Sequence, residues 1–211
     1  MNTTSEHLKN HWDATYANKD INKLGWFETS AEPTLSIIKQ CKFNKDARLL
    51  NVGAGATILI DQLLELGFNN IIASDLSIES LKILQERLAS KKNEVEWIVD
   101  DLTQPEKLLE IEPVDLWNDR AVLHFFTNPK DQETYFDLLK KIVNPSGYAI
   151  IAVFNTEGAT KCCGLSVQRY NKETLEKSMG NSFKLIHSFN YLYTMPSGDT
   201  RPYVYTLFKK I

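Results

Sequence analysis

The run Asn51-Val52-Gly53-Ala54-Gly55-Ala56-Thr57 sits between an apolar stretch and a helix-like one, and Asp75 stands 20 residues after Gly55. Glycines at such a turn let the chain bend sharply and let a ligand approach the main chain. A helix N-terminus next to it offers free N–H groups. A carboxylate at the end of the following strand can accept hydrogen bonds from both hydroxyls of a ribose. Alone, G-x-G is equally an ordinary strand-to-helix turn, and Asp75 alone is equally a cap ahead of Ser77. Their order and spacing favour nucleoside binding. The dinucleotide fingerprint wants a third glycine at position 58, where this chain has Ile58, and a branched side chain there opposes close helix–strand packing. Tyr135, Tyr148 and Tyr170 are followed four residues on by Leu139, Ala152 and Thr174 rather than lysine. Both points argue against a nicotinamide-dependent oxidoreductase and for a nucleoside ligand without a pyrophosphate.

Further chemistry-bearing residues lie downstream. Asp119 and Arg120 can form an ion pair that shapes a site, or Arg120 can hold a carboxylate in bidentate fashion. His124 follows in an apolar neighbourhood. It reads either as a buried, satisfied histidine or as a general base, since imidazole titrates near neutrality. Arg169 and Tyr170 close a loop over residues 158–170. Cys41, Cys162 and Cys163 are odd in number with two adjacent. They match no zinc or disulfide pattern and read as reduced thiols, with only a weak case for a redox role of the pair. The segment 12–27, rich in aromatic and polar residues, reads as a lid or as a plain aromatic cluster.

The elements that must hold these residues alternate between apolar runs and amphipathic stretches, the pattern of a parallel α/β sheet. Residues 47–52 read as a first strand. Residues 57–66 follow as a helix with Ile58, Leu59, Leu63 and Leu66 on one face and Gly67 at its end. Residues 70–74 form a second strand, and Ser77 caps a helix carrying Leu81, Leu84 and Leu88. Residues 95–99 form a third strand, and 115–118 begin a fourth. Asn128-Pro129 opens a helix with Asp131 in its first turn and Tyr135, Leu138, Leu139 and Ile142 as its stripe. Pro145-Ser146-Gly147 reads as a turn before a fifth strand, 148–154. A short helix at 171–179 precedes strands 184–193 and 202–209, whose short connection makes them antiparallel. Before Ala47, residues 33–41 read as helix and the rest as irregular. The fold class is therefore α/β, with a mostly parallel seven-stranded sheet ending in an antiparallel hairpin.

The chain has 211 residues, a net charge of −3 and a pI near 5.8. A basic face for nucleic acid is not expected from that balance. No apolar stretch of about 18 residues suggests a membrane span, and the N-terminus lacks the pattern of a secretory signal. A cytoplasmic protein with no membrane partner is expected.

Leu50-Asn51-Val52-Gly53-Ala54-Gly55 resembles the glycine-rich first motif of the class I S-adenosylmethionine-dependent methyltransferases, and the resemblance covers most of the chain. It implies a Rossmann-like three-layer sandwich and S-adenosyl-L-methionine as cofactor. It also implies a single methyltransferase domain over 1–211, with an N-terminal lid and helix (1–45), a cofactor-binding core (46–155), and an acceptor loop, helix and closing hairpin (156–211). By that resemblance Asp75, followed by Leu76, is the ribose-binding acid. Asp100-Asp101-Leu102 supplies the adenine contact, with Asp101 favoured, and Asn118 touches the methionine tail. Trp26 belongs to the lid over the cofactor. Asp119, Arg120 and His124 are the catalytic candidates, and Arg169 and Tyr170 the substrate candidates. His11-Trp12-Asp13, Trp26-Phe27, residues 117–125 and residues 162–170 resemble a small bacterial subgroup, and parts of the N-terminal pattern resemble some seven-strand lysine methyltransferases. Two departures stand out. Asn51 occupies the place of the usual acid, and Thr57, able to cap the following helix, replaces the usual third glycine. A small-molecule acceptor is expected. A protein lysine, or a non-catalytic adenosyl-binding module, is the alternative.

Overall fold

The computed structural model describes residues 4–211. The strands are β1 (Leu49–Val52), β2 (Ile71–Asp75), β3 (Val95–Val99), β4 (Val114–Arg120), β5 (Val143–Phe154), β6 (Lys161–Cys162), β7 (Leu165–Ser166), β8 (Phe183–Thr194) and β9 (Thr200–Lys210). The helices are α1 (Thr4–Asn18), α2 (Glu32–Cys41), α3 (Leu59–Glu65), α4 (Ile78–Leu88), α5 (Pro129–Ile142) and α6 (Lys172–Met179). Seven strands form one sheet in the order β3-β2-β1-β4-β5-β9-β8, parallel through β5 and antiparallel beyond it. The chain runs outward from β1 to β3, then returns to place β4 on the other side of β1. Ligands of open α/β sheets sit at the carboxyl ends of strands flanking such a reversal.

The two faces of the sheet separate by strand alternation. Leu49, Leu116, Ile150 and Ala152 pack with Leu35, Ile38, Leu63 and Leu84 of α2, α3 and α4. Leu50, Trp117, Ile151 and Val153 pack with Tyr135, Leu139 and Leu175 of α5 and α6. Helix layers thus cover both faces, as expected of a three-layer sandwich.

Local chemistry explains the element ends. Ser77 Oγ accepts from the N–H of Ser80, and Asn128 Oδ1 accepts from that of Lys130. Asn171 and Thr174 form a reciprocal capping box at α6. Gly67 adopts φ 84° just past α3. Thr57 Oγ1 accepts from the N–H of Leu59 at 3.2 Å, so the hydroxyl does help to start α3.

Two expectations are corrected. The region before Pro33 is not irregular: α1 spans Thr4–Asn18. Its residues carry no clear apolar stripe, and tertiary docking rather than amphipathicity fixes it. Ser77 Oγ donates to Asp13 Oδ1 at 2.7 Å, and Lys9 pairs with Asp13 one turn away at 2.7 Å. The expected turn at Pro145-Ser146-Gly147 lies inside β5 as an irregularity. Ser146 has φ 63°, and the pairing with β4 shifts register between Val114 and Leu116. Tyr205 and Lys209 do stand four residues apart, but on a strand that spacing spans about 13 Å. Among the described residues no helix is long and apolar enough to cross a membrane, and no cluster of residues suits a metal ion.

Candidate functional site

A cavity of about 400 Å³ opens at the reversal point, above the carboxyl ends of β1, β2 and β4. That volume is in the usual range for small-molecule sites, roughly 300–1,000 Å³. The cavity is lined by Asn51, Gly53, Ala54, Gly55, Asp75, Leu76, Asp100, Asp101, Leu102, Asn118, Arg120, His124 and Trp26, all singled out from the sequence. It is also lined by Trp12, Tyr16, Glu28, Phe125, Cys162, Cys163, Met195 and Tyr203, which come from distant parts of the chain.

The floor is the turn after β1. Gly53 and Gly55 have φ of 57° and 52°, where L side chains are strained. Space forbids them too. A Cβ at Gly53 would overlap Val122, and one at Gly55 would overlap the hydroxyl of Tyr16. Asp75, at the end of β2, fastens this turn. Its Oδ2 accepts from the N–H of Gly55 at 2.7 Å and its Oδ1 from that of Ser77 at 2.8 Å. Burial pushes its carboxyl up to about 6 despite those hydrogen bonds.

β1 and β4 are in register at Asn51 and Asn118. Asn118 Nδ2 donates to Asn51 Oδ1 at 2.5 Å, joining the two strands side by side. Asn118 is buried, and its Oδ1 has no hydrogen-bond partner among the described residues. At the β3 end, Asp100 accepts from the backbone of Asp101, Glu106 and Leu108, and so shapes the loop. Asp101 accepts from Thr103 and from Ser5 of α1.

The roof is aromatic. Trp12 contacts Trp26 and Phe125 edge to face with centroids 5.5 and 5.0 Å apart, and Trp26 Nε1 donates to Tyr16 Oη at 3.0 Å. Arg120 straps the roof down. Its guanidinium meets Glu28 at 2.9 Å, donates to the Trp26 carbonyl at 3.1 Å and to Tyr205 Oη at 3.3 Å, and lies over the rings of Tyr193 and Tyr203. Tyr193 in turn donates to the Phe27 carbonyl.

Three expectations about roles change. Asp119 and Arg120 do not pair. Adjacent residues of β4 point to opposite faces, so Arg120 meets Glu28 while Asp119 is buried toward α5. There Asp119 accepts from Val122 N–H, Leu123 N–H and Tyr135 Oη, and burial pushes its carboxyl up to about 6. It does not line the cavity, whereas Arg120 does, with Nε and Nη1 donating to Tyr205 Oη and the Trp26 carbonyl and Nη2 set beside Glu28. Arg169 also lies outside the cavity lining, donating to the carbonyls of Thr156 and Gly158. Tyr170 is buried in the cluster around α5 and α6 because it bridges to Asn155 beyond the end of β5. His124 does line the cavity, but burial, with the Arg120 charge adding to it, lowers its imidazole to about 3. Such a group stays neutral near pH 7 and is a poor general base. The lid residues Tyr16 and Glu28 were missed as individuals, and nothing in their local sequence distinguishes them.

Residues 50–151 match the family model for the methyltransferase domain. The chain is 26% identical over 162 residues to EEF1A lysine methyltransferase 2 of Danio rerio, covering 70% of this chain and 68% of that protein. Its fold superposes on a SAM-dependent methyltransferase from Anabaena variabilis ATCC 29413 with a TM-score of 0.79 at 16% identity, covering 99% and 96% of the two chains. It also superposes on 1,6-didemethyltoxoflavin-N1-methyltransferase of Burkholderia thailandensis, bound to 1,6-didemethyltoxoflavin and S-adenosylhomocysteine, with a TM-score of 0.71 at 19% identity, covering 96% and 87%.

Proposed function

We propose that this chain acts as a class I S-adenosylmethionine-dependent methyltransferase, a reading that the match to the methyltransferase domain supports, and that its methyl acceptor is a small molecule taken up beside the cofactor in this cavity. The observation that carries this reading is the roof. Trp12, Trp26, Arg120-anchored Glu28 and the Cys162–Cys163 hairpin all wall the cavity, so the reacting end lies under side chains rather than on an open surface.

The residues present fit the cofactor. Asn118 Oδ1 is a buried acceptor that awaits a donor, and the ammonium of a methionine tail supplies one. Asn51 holds Asn118 in place, and an unsatisfied buried acceptor costs about 1–3 kcal/mol until it is paired. Asp75 would keep lone pairs for the ribose hydroxyls, Asp101 would take the adenine amino group, and Leu76 and Leu102 would hold the base. The main chain of Gly53, Ala54 and Gly55 runs beneath, and Trp26 closes the roof. When bound, S-adenosylmethionine supplies an electrophilic methyl group on a sulfonium. The protein's part is to align the acceptor and exclude water. Asp119 and Arg120 act as positioning residues, one fixing the turn after β4 and the other the roof. The neutral His124 offers a hydrogen bond from Nε2–H and moves no proton.

The similarity to a lysine methyltransferase supports a second reading, a protein lysine as acceptor. Incubating the protein with methyl-tritiated S-adenosylmethionine, a low-mass metabolite extract and, separately, a protein extract separates the two. Label in the low-mass fraction is expected. Label confined to protein lysines would replace the small-molecule reading.

A further inference from the structure

The charges lining the cavity are sorted. Asp75, Asp100 and Asp101 stand at the β2 and β3 side, while Glu28 is matched by Arg120 at 2.9 Å and Lys23 by Asp20 at 3.8 Å. The lining also carries Lys19, Lys161 and Arg201. Lys19 Nζ lies 3.7 Å from Cys163 Sγ, and Arg201 is close enough to act on the Cys162 thiol. The three cations therefore gather around the β6–β7 hairpin. None forms an ion pair among the described residues. Unpaired like charges gathered at one hairpin repel each other, a cost that an anion between them removes.

A second observation lies deeper on the same side. His124 is fully buried and accepts from the Phe154 N–H at its Nδ1. Its other nitrogen, Nε2, therefore carries the proton. That N–H has no partner among the described residues. His124 packs on Phe154 with centroids 4.5 Å apart, and Phe154 on Tyr203 at 5.0 Å. Tyr203 is two residues along β9 from Arg201, on the same face. A continuous wall thus runs from the buried donor to the basic rim.

Resting on the reading of this cavity as a methyl-transfer site, we propose that its acceptor end selects an anionic small molecule, steered by Lys19, Lys161 and Arg201 and held inside by the Nε2–H of His124. The acids at the cofactor end and the cations at the acceptor end then set the direction in which the two ligands enter.

The test uses the full chain saturated with S-adenosylhomocysteine and three probes of one shape: 4-hydroxybenzoate, 4-hydroxybenzamide and 4-hydroxybenzylamine. Binding is followed by calorimetry at low and high salt. The carboxylate is expected to bind tightest, with its advantage shrinking as salt rises. Reversing two charges of the rim, exposed Lys161→Glu with half-buried Arg201→Glu, is expected to weaken the carboxylate roughly tenfold and to leave S-adenosylhomocysteine binding unchanged. His124→Phe removes the inner donor and should weaken the carboxylate at all salt concentrations. His124→Gln, which restores a donor, should recover part of that loss. Equal behaviour of the three probes, or tightest binding of the amine, overturns the proposal. So does a charge reversal that leaves the preference intact. Failure of S-adenosylhomocysteine itself to bind would instead undo the underlying reading of the site, so the two failures are distinguishable.

Discussion

Removing the Arg120 guanidinium tests whether the roof of the cavity is held by a buried ion pair. Arg120 and Glu28 side chains are 13% and 8% exposed, so solvent screens the pair little. In Arg120→Met the stem volume stays, but Glu28 loses its partner, and the Trp26 carbonyl and Tyr205 hydroxyl lose a donor. Breaking a buried pair by removing one partner costs about 3–5 kcal/mol. For a chain of this size that corresponds to a fall in Tm of roughly 10 °C. The cost carries a pH signature. Burial already raises the Glu28 carboxyl in the parent, and the Arg120 charge opposes that rise. Without Arg120 the folded-state value climbs further above the unfolded one. A carboxyl raised on folding contributes stability that is present below its unfolded value, near 4.5, and lost as pH rises through the folded value. The deficit of Arg120→Met should therefore be small near pH 4.5 and should grow toward pH 8. Urea denaturation at several pH values measures it, and Glu28→Gln completes a double-mutant cycle. Coupling of at least about 1 kcal/mol is expected for residues in contact. A deficit independent of pH, or additive single effects, would refute the strap.

Three further outcomes follow from the geometry. Asp75→Asn removes the carboxylate that clasps the Gly55 and Ser77 N–H groups and, as proposed, the ribose. The Kd for S-adenosylhomocysteine should rise roughly 10- to 100-fold by calorimetry, and in the parent the affinity should climb from pH 5 to 7 as the carboxyl, held at about 6, ionises. Gly53→Ala introduces a side chain at φ 57° against Val122 and should cost about 2–5 kcal/mol in thermal unfolding; adding Val122→Ala should return the steric part only. The His124 imidazole, lowered to about 3, should show no titration of its ring proton resonances between pH 5 and 8, whereas a titration near 6.5 would contradict its buried, uncharged state.

Much of the sheet was readable because its signals are local. Apolar runs ended by Gly53 and Gly67, the caps Ser77 and Asn128, and the short link between β8 and β9 each act within a few residues. The turn carrying Gly53 and Gly55 and the acid Asp75 were found the same way, since one strand-turn-helix unit and the next strand place them. The roof was hidden. Arg120 reaches Glu28 across more than ninety positions, and α1 owes its place to long-range contacts, Asp13 with Ser77, Ser5 with Asp101 and Trp12 with Phe125, rather than to a pattern of its own. One miss was avoidable. Asn118, Asp119 and Arg120 are consecutive on a strand, and period-two alternation alone forbids Asp119 and Arg120 from sharing a face.

That alternation also explains how one short strand serves two purposes. Trp117 and Asp119 face α5, where a hydrogen bond from Tyr135 to Asp119 and a contact of Trp117 with Tyr135 at 5.3 Å lock the sheet to its helix. Asn118 and Arg120 face the cavity, where one offers a bare acceptor and the other ties down the roof. The buried carboxyl of Asp119, with its donors fixed by the turn at Val122 and Leu123, sets where β4 ends. It thereby sets how far Asn118 and Arg120 project into the site. A change at Asp119 should therefore disturb the cavity without touching any ligand: Asp119→Ala is expected to cost about 3 kcal/mol in stability by leaving those donors unpaired, while a variant that kept full stability but lost S-adenosylhomocysteine binding would show that Asp119 acts on the ligand directly.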